Sequence, residues 1–497
     1  MFLDIFYGFG EILSFANVSA VFLGLCFGTL FGAIPGLTAT MGIALVIPLT
    51  FTMPPITAFA ALLGAYKGGV YGGSIPAILI NTPGTPVAAV TTFDGYPLAK
   101  MGKAGKAMDV ALWSSVIADI LSTMCLMFFA VSLAKISLKF GPPEFAGIMI
   151  FALVLVAGVS GDSLVKGILA ASIGFLLGTI GLDPMYATPR YLFGYATLMS
   201  GIDLMVLLIG MFAISEVLIQ AESIKEKISK KVIVNIGSVD DRASFAEIVH
   251  CLPIILKGTV LGILIGAIPG VGPTTTSFLN YSEARRTSKH PEEFGKGSIE
   301  GLAAAESGNN ATVGGTLIPT LALGIPGDVT TAVLLGALMI HGLTPGPALF
   351  VENAGFVYAI FASLIFSSLL LPIVGKTAIK IFKQITRIPN SILFPTVAIT
   401  CIMGVYGLGS SFTDLRMMLF FGVVAYVLRK FNYPLAPLLI GFILEPLGER
   451  AIRQSLAISQ GSLEIFYTRP ICLLFLGLTI VASVVLVIIQ NKSAKVS

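Results

Sequence analysis

The sequence has little charge. Of its 497 residues only 11% are Asp, Glu, Lys or Arg, against about 25% in an ordinary soluble domain. Hydrophobic residues make up 56%, and the mean hydropathy is +0.94. Residues 12 to 66 contain no Asp, Glu, Lys, Arg or His at all. Crossing the hydrocarbon takes about 20 apolar residues, so this stretch is long enough to cross twice. A soluble globular chain is excluded. The five cysteines (Cys26, Cys125, Cys251, Cys401 and Cys472) are scattered without metal-ligand spacing and read as apolar packing residues. Three histidines, His250, His290 and His341, form no cluster, so neither a zinc enzyme nor a catalytic triad has support. No Gly-x-x-x-x-Gly-Lys-Ser/Thr loop occurs, which disfavours an ATP-driven pump. The first fifteen residues carry Asp4 and Glu11 but no basic residue, unlike a cleaved signal peptide. The net charge of +4 sits in short loops, with no nucleic-acid patch.

What the chain does have is one motif twice. Gly32-Ala33-Ile34-Pro35-Gly36 returns as Gly266-Ala267-Ile268-Pro269-Gly270. Small residues at helical spacing precede each copy, Gly24 and Gly28 in one and Gly258 and Gly262 in the other. Each copy is followed by a Gly-Gly pair (Gly72-Gly73, Gly314-Gly315) and then by a Pro-Gly turn: Asn81-Thr82-Pro83-Gly84-Thr85 in the first, Gly324-Ile325-Pro326-Gly327-Asp328 in the second. Hydrophobic segments interrupted by Gly and Pro at matching places in two halves point to the substrate site of a secondary transporter.

The spacing predicts an all-α polytopic membrane protein of about twelve spans. Residues 1–215 form a first repeat, 216–250 a polar cytoplasmic linker, and 251–497 a second repeat. Residues 68–93 and 298–327 read as broken or re-entrant helices, because a lipid-facing helix does not tolerate so many breakers. Basic residues follow the first broken segment (Lys100, Lys103, Lys106) but precede the second (Arg285, Arg286, Lys289, Lys296). Since Lys and Arg favour the cytoplasm, the two copies are expected to have inverted topology. The two Pro-Gly turns are expected to meet near the bilayer midplane.

A broken helix offers unpaired N–H groups that suit an anion and free carbonyls that suit a cation. On that basis the expected anion site contains Pro35, Gly36, Thr38, Ser74, Asn81, Thr82, Pro83, Gly84, Thr85, Gly270, Thr274, Thr275, Thr316, Pro326 and Gly327, with Lys67 as the one basic side chain. Asn309, Asn310, Glu306 and Asp328 are the expected cation ligands. For any one hydroxyl, a bond to its own helix backbone is the simpler reading.

At these residues the sequence resembles the large membrane subunit of tripartite tricarboxylate transporters, the TctA family. The resemblance rests on the duplicated Gly-Ala-Ile-Pro-Gly, the Asn81-Thr82-Pro83-Gly84 turn, Asp94-Gly95-Tyr96-Pro97, and Glu306 with Asn309-Asn310-Ala311. It implies a multi-pass carrier in the bacterial inner membrane, driven by a Na⁺ or H⁺ gradient and using no cofactor. It also implies a small four-span membrane subunit, a periplasmic substrate-binding protein and a carboxylate substrate. A channel or facilitator for small anions is the competing expectation. A membrane enzyme has no nucleophile–base pair to support it.

Overall fold

A computed structural model describes residues 2–159, 163–223, 242–385, 390–409 and 411–493. Nearly everything is helix. The first half comprises α1 (Phe2–Ile12), α2 (Phe15–Ala33), α3 (Ala39–Thr50), α4 (Pro55–Gly72), α5 (Ser74–Ile80), α6 (Thr91–Lys100) and the long α7 (Ala104–Ser137). There follow α8 (Pro142–Val159), α9 (Leu164–Gly178), the hairpin β1 (Gly181–Leu182) and β2 (Pro189–Arg190), α10 (Leu204–Leu208) and α11 (Ser215–Ser223). The second half comprises α12 (Phe245–Gly266), α13 (Gly272–Thr287), α14 (Ile299–Leu323), α15 (Val329–Ile340), α16 (Pro347–Glu352) and the long α17 (Ala354–Ile385). The chain ends in α18 (Asn390–Gly409), α19 (Phe412–Lys430), α20 (Leu435–Ile458), α21 (Glu464–Thr468) and α22 (Pro470–Ser493). Among the described residues, six helices are long and apolar enough to cross a membrane and five more are apolar but shorter. The chain is an α-helical multi-pass membrane protein.

The stripes of small residues explain how the core closes. A side-chain carbon on Gly24, Gly28 or Gly32 would lie 2.1, 2.1 or 2.4 Å from the carbonyl oxygens of Ala61, Ala65 and Gly69. Only glycine lets α2 and α4 approach so closely, the usual basis of helix association in lipid. The second half repeats the arrangement, with Gly258, Gly262 and Gly266 of α12 against Ser307, Ala311 and Gly315 of α14. Within each pair the residue numbers rise together, so the two helices run parallel.

Between the halves the sense is reversed. Tyr66 lies against Thr316 and, further along the same strand of chain, Ser74 lies against Glu306. Rising numbers on α4 and α5 therefore meet falling numbers on α14. α7 runs with α14, since Ser115 bonds Asn310 and Ser137 bonds the carbonyl of Ala322. α17 runs with α4, since Lys67 reaches Leu364 and Ser368 while Tyr71 lies on Gly375. Each long helix thus runs opposite to the pair of its own half and packs on the other half. The starts of α7, α12 and α14 share one end of the bundle, tied by Lys106–Glu247 at 2.8 Å, Arg242–Asp109 at 3.0 Å and His250–Glu300 at 3.2 Å.

Only one of the two glycine pairs behaves differently from the sequence expectation: Gly72-Gly73 separates α4 from α5, whereas Gly314-Gly315 leaves its helix intact. Helix α4 passes unbroken through Gly68 and Gly69 and stops only at Gly72. In the second half Gly314 and Gly315 sit inside the uninterrupted α14. There the glycines serve close approach: side-chain carbons on them would lie 2.8 Å from the Ser122 backbone and 2.8 Å from the Ile263 carbonyl. The segment read as a linker is helical at both ends, finishing α11 and starting α12 under a capping box of Ser244 and Glu247. Its residues 224–241 lie outside the described residues.

Replacing Gly28 by Ala drives a methyl group into the Ala65 carbonyl. Overpacking of this kind costs about 1–3 kcal/mol, more than the roughly 0.5–1 kcal/mol that Ala gains over Gly in a helix. The thermal midpoint of purified Gly28→Ala is expected to fall, whereas Gly10→Ala, where nothing lies within 4 Å, leaves it unchanged or higher.

Candidate functional site

The two Pro-Gly turns are built alike. α5 ends at Asn81, whose φ of 53° is left-handed, and α14 ends at Gly324, with φ of 73°. The cap N–H of each returns to a proline carbonyl, Pro76 in one and Pro319 in the other. The next N–H does the same: Thr82 to Pro76 at 3.4 Å, Ile325 to Pro319 at 3.3 Å. The chain then doubles back along the helix it has left. Gly84 donates to the Gly73 carbonyl at 3.1 Å, and Gly327 to the Thr320 hydroxyl at 3.2 Å. Gly84 and Gly327 are pressed against the backbones of Gly73 and Thr316, which leaves no room for a side chain. After each turn a helix restarts inside the bundle, with Thr85 preceding a short turn and then α6, and Asp328 capping α15.

A buried carboxylate lies beside each turn. Glu306, on α14, is fully enclosed. It accepts from Ser74 Oγ at 2.7 Å, Thr91 Oγ1 at 2.5 Å and Ser115 Oγ at 3.2 Å, all from the first half. Asn310 extends the group, donating to Ser115 Oγ at 2.7 Å and to Asn309 Oδ1 at 2.6 Å. Asp328 accepts from the Thr331 N–H at 2.8 Å and from Tyr66 Oη, a first-half residue, at 3.2 Å. Thr316 shares that tyrosine at 3.5 Å. The two groups are separated along α14 by the step from residue 306 to 316, about 15 Å at 1.5 Å per residue. Neither Glu306 nor Asp328 forms an ion pair with a described residue.

Unused hydrogen-bonding capacity gathers around the first turn. Thr85 Oγ1, Asn309 Nδ2 and Asn310 Oδ1 are buried without a partner among the described residues. Natively buried polar atoms are nearly always paired, so each such atom calls for an explanation such as a water or an ion. Among the described residues no three His, Cys, Asp or Glu side chains gather as a metal centre would require.

The other sequence-predicted residues are distributed as follows. Thr82 is exposed, and its hydroxyl bonds the nearby Ile80 carbonyl at 3.3 Å. Asn81 is also exposed and Pro83 half-buried, while Pro326 and Gly327 are buried. Pro35 and Gly36 are half-buried, with Gly36 lying against Gln220, and Thr38 caps α3 through the Met41 N–H at 3.1 Å. Thr274 and Thr275 are half-buried in the first turn of α13. Gly270 joins the first motif of its half to the turn, its N–H donating to the Gly327 carbonyl at 2.8 Å. Lys67 is fully enclosed and faces Asp119 rather than either turn.

Sequence reasoning missed Tyr66, Thr91, Ser115, Asp119 and the role of Asp94. Asp119 carried a signal, being an ionisable residue inside an apolar span. Asp94 is buried and takes four donors: Tyr281 Oη at 2.8 Å and the backbone N–H groups of Gly295 at 2.8 Å and of Gly297 and Ser298 at 2.9 Å. It clamps α6 to the start of α14 and so holds Thr91 against Glu306.

Two glycine-spaced helix pairs of opposite sense, with paired interrupted helices and a polar interior, define a membrane protein of the transporter class. Comparison with known proteins gives the family. The model of the tripartite tricarboxylate transporter TctA family matches residues 18–440, and the chain belongs to that family. An Agrobacterium vitis protein described as "Uncharacterized 52.8 kDa protein in TAR-I ttuC' 3'region" is 37% identical over 493 residues, covering 98% of this chain and 97% of that protein. A second, described as "Uncharacterized protein in TAR-II ttuC' 3'region" from the same organism, is 37% identical over 234 residues, covering 47% of this chain and 96% of that protein. No solved structure matches.

Replacing Asp94 by Ala would orphan the Tyr281 hydroxyl and three backbone N–H groups at about 1–3 kcal/mol each. Asp94→Ala is expected to lose thermal stability by many degrees or to fail to accumulate. Asp94→Asn retains one acceptor oxygen and should fall in between. Equal melting of all three chains would show that the clamp contributes nothing.

Proposed function

We propose that the chain carries a small carboxylate into the bacterial cell across the inner membrane, coupled to a Na⁺ or H⁺ gradient, and that the two halves form an inverted-topology repeat around the substrate path. The reading rests chiefly on one observation: each of two alike Pro-Gly turns stands beside a buried carboxylate, Glu306 or Asp328, that is satisfied by hydroxyls and amides and by no basic side chain among the described residues. A buried carboxylate without a counter-charge is costly to keep ionised. A bound Na⁺ or a proton removes that cost, and the donor set is right for either. With Na⁺, the hydroxyls of Ser74, Thr91 and Ser115 turn their lone pairs to the ion, and Asn310 Oδ1, which has no donor, adds an amide oxygen.

The anion is placed at the turns, held by N–H groups at the restarted helices and by small hydroxyls, with Thr85 and Thr316 as the buried hydroxyls and Pro35, Gly36, Thr38, Gly270, Thr274 and Thr275 on the neighbouring motif. Opposite running directions of the paired helices support the inverted repeat, as does the gathering of Lys100, Lys103, Lys106, Arg242, Arg285 and Arg286 near the end of the bundle where α7, α12 and α14 start. By the bias of basic residues, that end is cytoplasmic. The family is described as that of a tripartite transporter, and on this reading a small four-span subunit and a periplasmic binding protein work with the chain, with substrate arriving at the opposite end.

Reconstituted membrane subunits with a cognate binding protein are expected to show saturable uptake that rises with an inward Na⁺ or H⁺ gradient. Uptake indifferent to both gradients would make the protein a facilitator. Thr85→Val and Thr316→Val preserve volume and remove one hydroxyl each. A lost hydrogen bond in the site is expected to raise the half-saturation concentration roughly five- to a hundredfold, from about 1–3 kcal/mol. Glu306→Gln is expected to abolish stimulation by the gradient while leaving chain abundance near normal, because an amide keeps one acceptor for the three hydroxyls.

A further inference from the structure

Lys67 and Asp119 take no part in either turn. The Lys67 ammonium is fully buried, with four oxygens around it: Ser368 Oγ at 2.7 Å, the Leu364 carbonyl at 3.0 Å, Thr123 Oγ1 at 3.3 Å and Asp119 Oδ1 at 3.5 Å. These oxygens come from α7 and α17, the two long helices, and the lysine reaches them from α4. Ser368 and Thr123 are themselves spoken for as donors, bonding the Leu364 and Asp119 carbonyls, so both offer lone pairs to the ammonium. The two Asp119 carboxylate oxygens accept no hydrogen bond among the described residues, and both side chains of the pair are 0% exposed.

One carboxylate, one carbonyl and two hydroxyls around a single positive charge is the donor set that hard cations such as Na⁺ and Ca²⁺ take from proteins. We propose that this is a cation site in which the Lys67 ammonium stands in for a bound Na⁺. The ammonium is tethered to α4, so this cation cannot leave with the substrate. It fixes α4 of the first half to α17 of the second and gives Asp119 a counter-charge. The site lies apart from Glu306 and Asp328, which have no such resident charge and remain available to an exchanging ion. The inference does not depend on which substrate is carried or on whether uptake is coupled.

Truncating Lys67 to Ala removes the ammonium and three side-chain carbons, leaving space for an ion and a water at about 30 Å³ for each water-sized occupant. A second Asp119 oxygen then brings the donors to five. Detergent-purified wild-type, Lys67→Ala, Lys67→Ser and Lys67→Ala/Asp119→Asn chains are compared by equilibrium binding of radioactive sodium and by thermal unfolding in sodium against N-methylglucamine at equal ionic strength. The expected result is one more sodium bound per chain in Lys67→Ala and Lys67→Ser than in the wild type, with a sodium-specific rise in midpoint that the wild type lacks, and loss of both on adding Asp119→Asn. Counting the difference from wild type keeps any sodium at Glu306 out of the comparison. Equal stoichiometry in wild type and both single variants overturns the proposal. So does failure of both single variants to fold in sodium, because a sodium-filled site would restore the counter-charge to Asp119.

Discussion

A helix that stops inside a bilayer exposes amide and carbonyl groups that lipid cannot satisfy, and this constraint governs the centre of the molecule. Both interruptions answer it locally. The chain turns in a left-handed residue, sends two successive N–H groups back to one proline carbonyl, and doubles back until Gly84 or Gly327 rests on the helix just left. In both halves the accepting carbonyl belongs to a proline one turn back, Pro76 or Pro319. Glycine matters because the returning strand touches backbone. Beside these turns the small-residue stripes of α2 and α12 bring α4 and α14 into close backbone contact.

The same constraint makes each half depend on the other. Glu306 belongs to α14, yet its hydroxyl donors Ser74, Thr91 and Ser115 come from α5, α6 and α7. Asp328 belongs to the second turn, yet the Tyr66 hydroxyl that reaches it comes from α4. Thr40 and Thr330 add a third link at 2.8 Å. A motion that slides one half past the other therefore breaks hydrogen bonds to the carboxylates themselves, and the state of the carboxylates bears directly on the motion. Neutralising Glu306 weakens its claim on three hydroxyls, since hydrogen bonds to a charged acceptor are about twice as strong as neutral ones.

Much of this plan was legible in the residues. The duplicated motif located both turns, because a Pro-Gly dipeptide that follows a Gly-Gly pair in each half has few other uses in an apolar stretch. The ionisable residues Lys67, Glu306 and Asp328 stood out for the same reason. What could not be read was which partner each would find. Asp119 and Lys67 are 52 residues apart, and nothing in either neighbourhood pairs them. The hydroxyls of Thr91 and Ser115 look like ordinary span residues, and their donation to Glu306 depends on α6 and α7 packing against α14. The second glycine pair misled for a physical reason. Glycine lowers helix propensity by about 1 kcal/mol, but in Gly314-Gly315 close packing on α7 and α12 outweighs that preference, and the helix continues.

The buried charges also divide by partner. Asp94 is met by three N–H groups and a phenol, Asp119 by a lysine, and Glu306 and Asp328 by hydroxyls and amides alone. A fixed array of backbone donors or a tethered ammonium holds a carboxylate in one position, which suits a clamp. A hydroxyl can donate or accept by rotating about one bond, so a carboxylate ringed by hydroxyls can be bare, protonated or cation-bound with the same neighbours. The two carboxylates at the interrupted helices are the ones given that tolerance. The two set away from the turns are the ones denied it, which is the distribution that the proposed coupling to an exchanging cation or proton calls for.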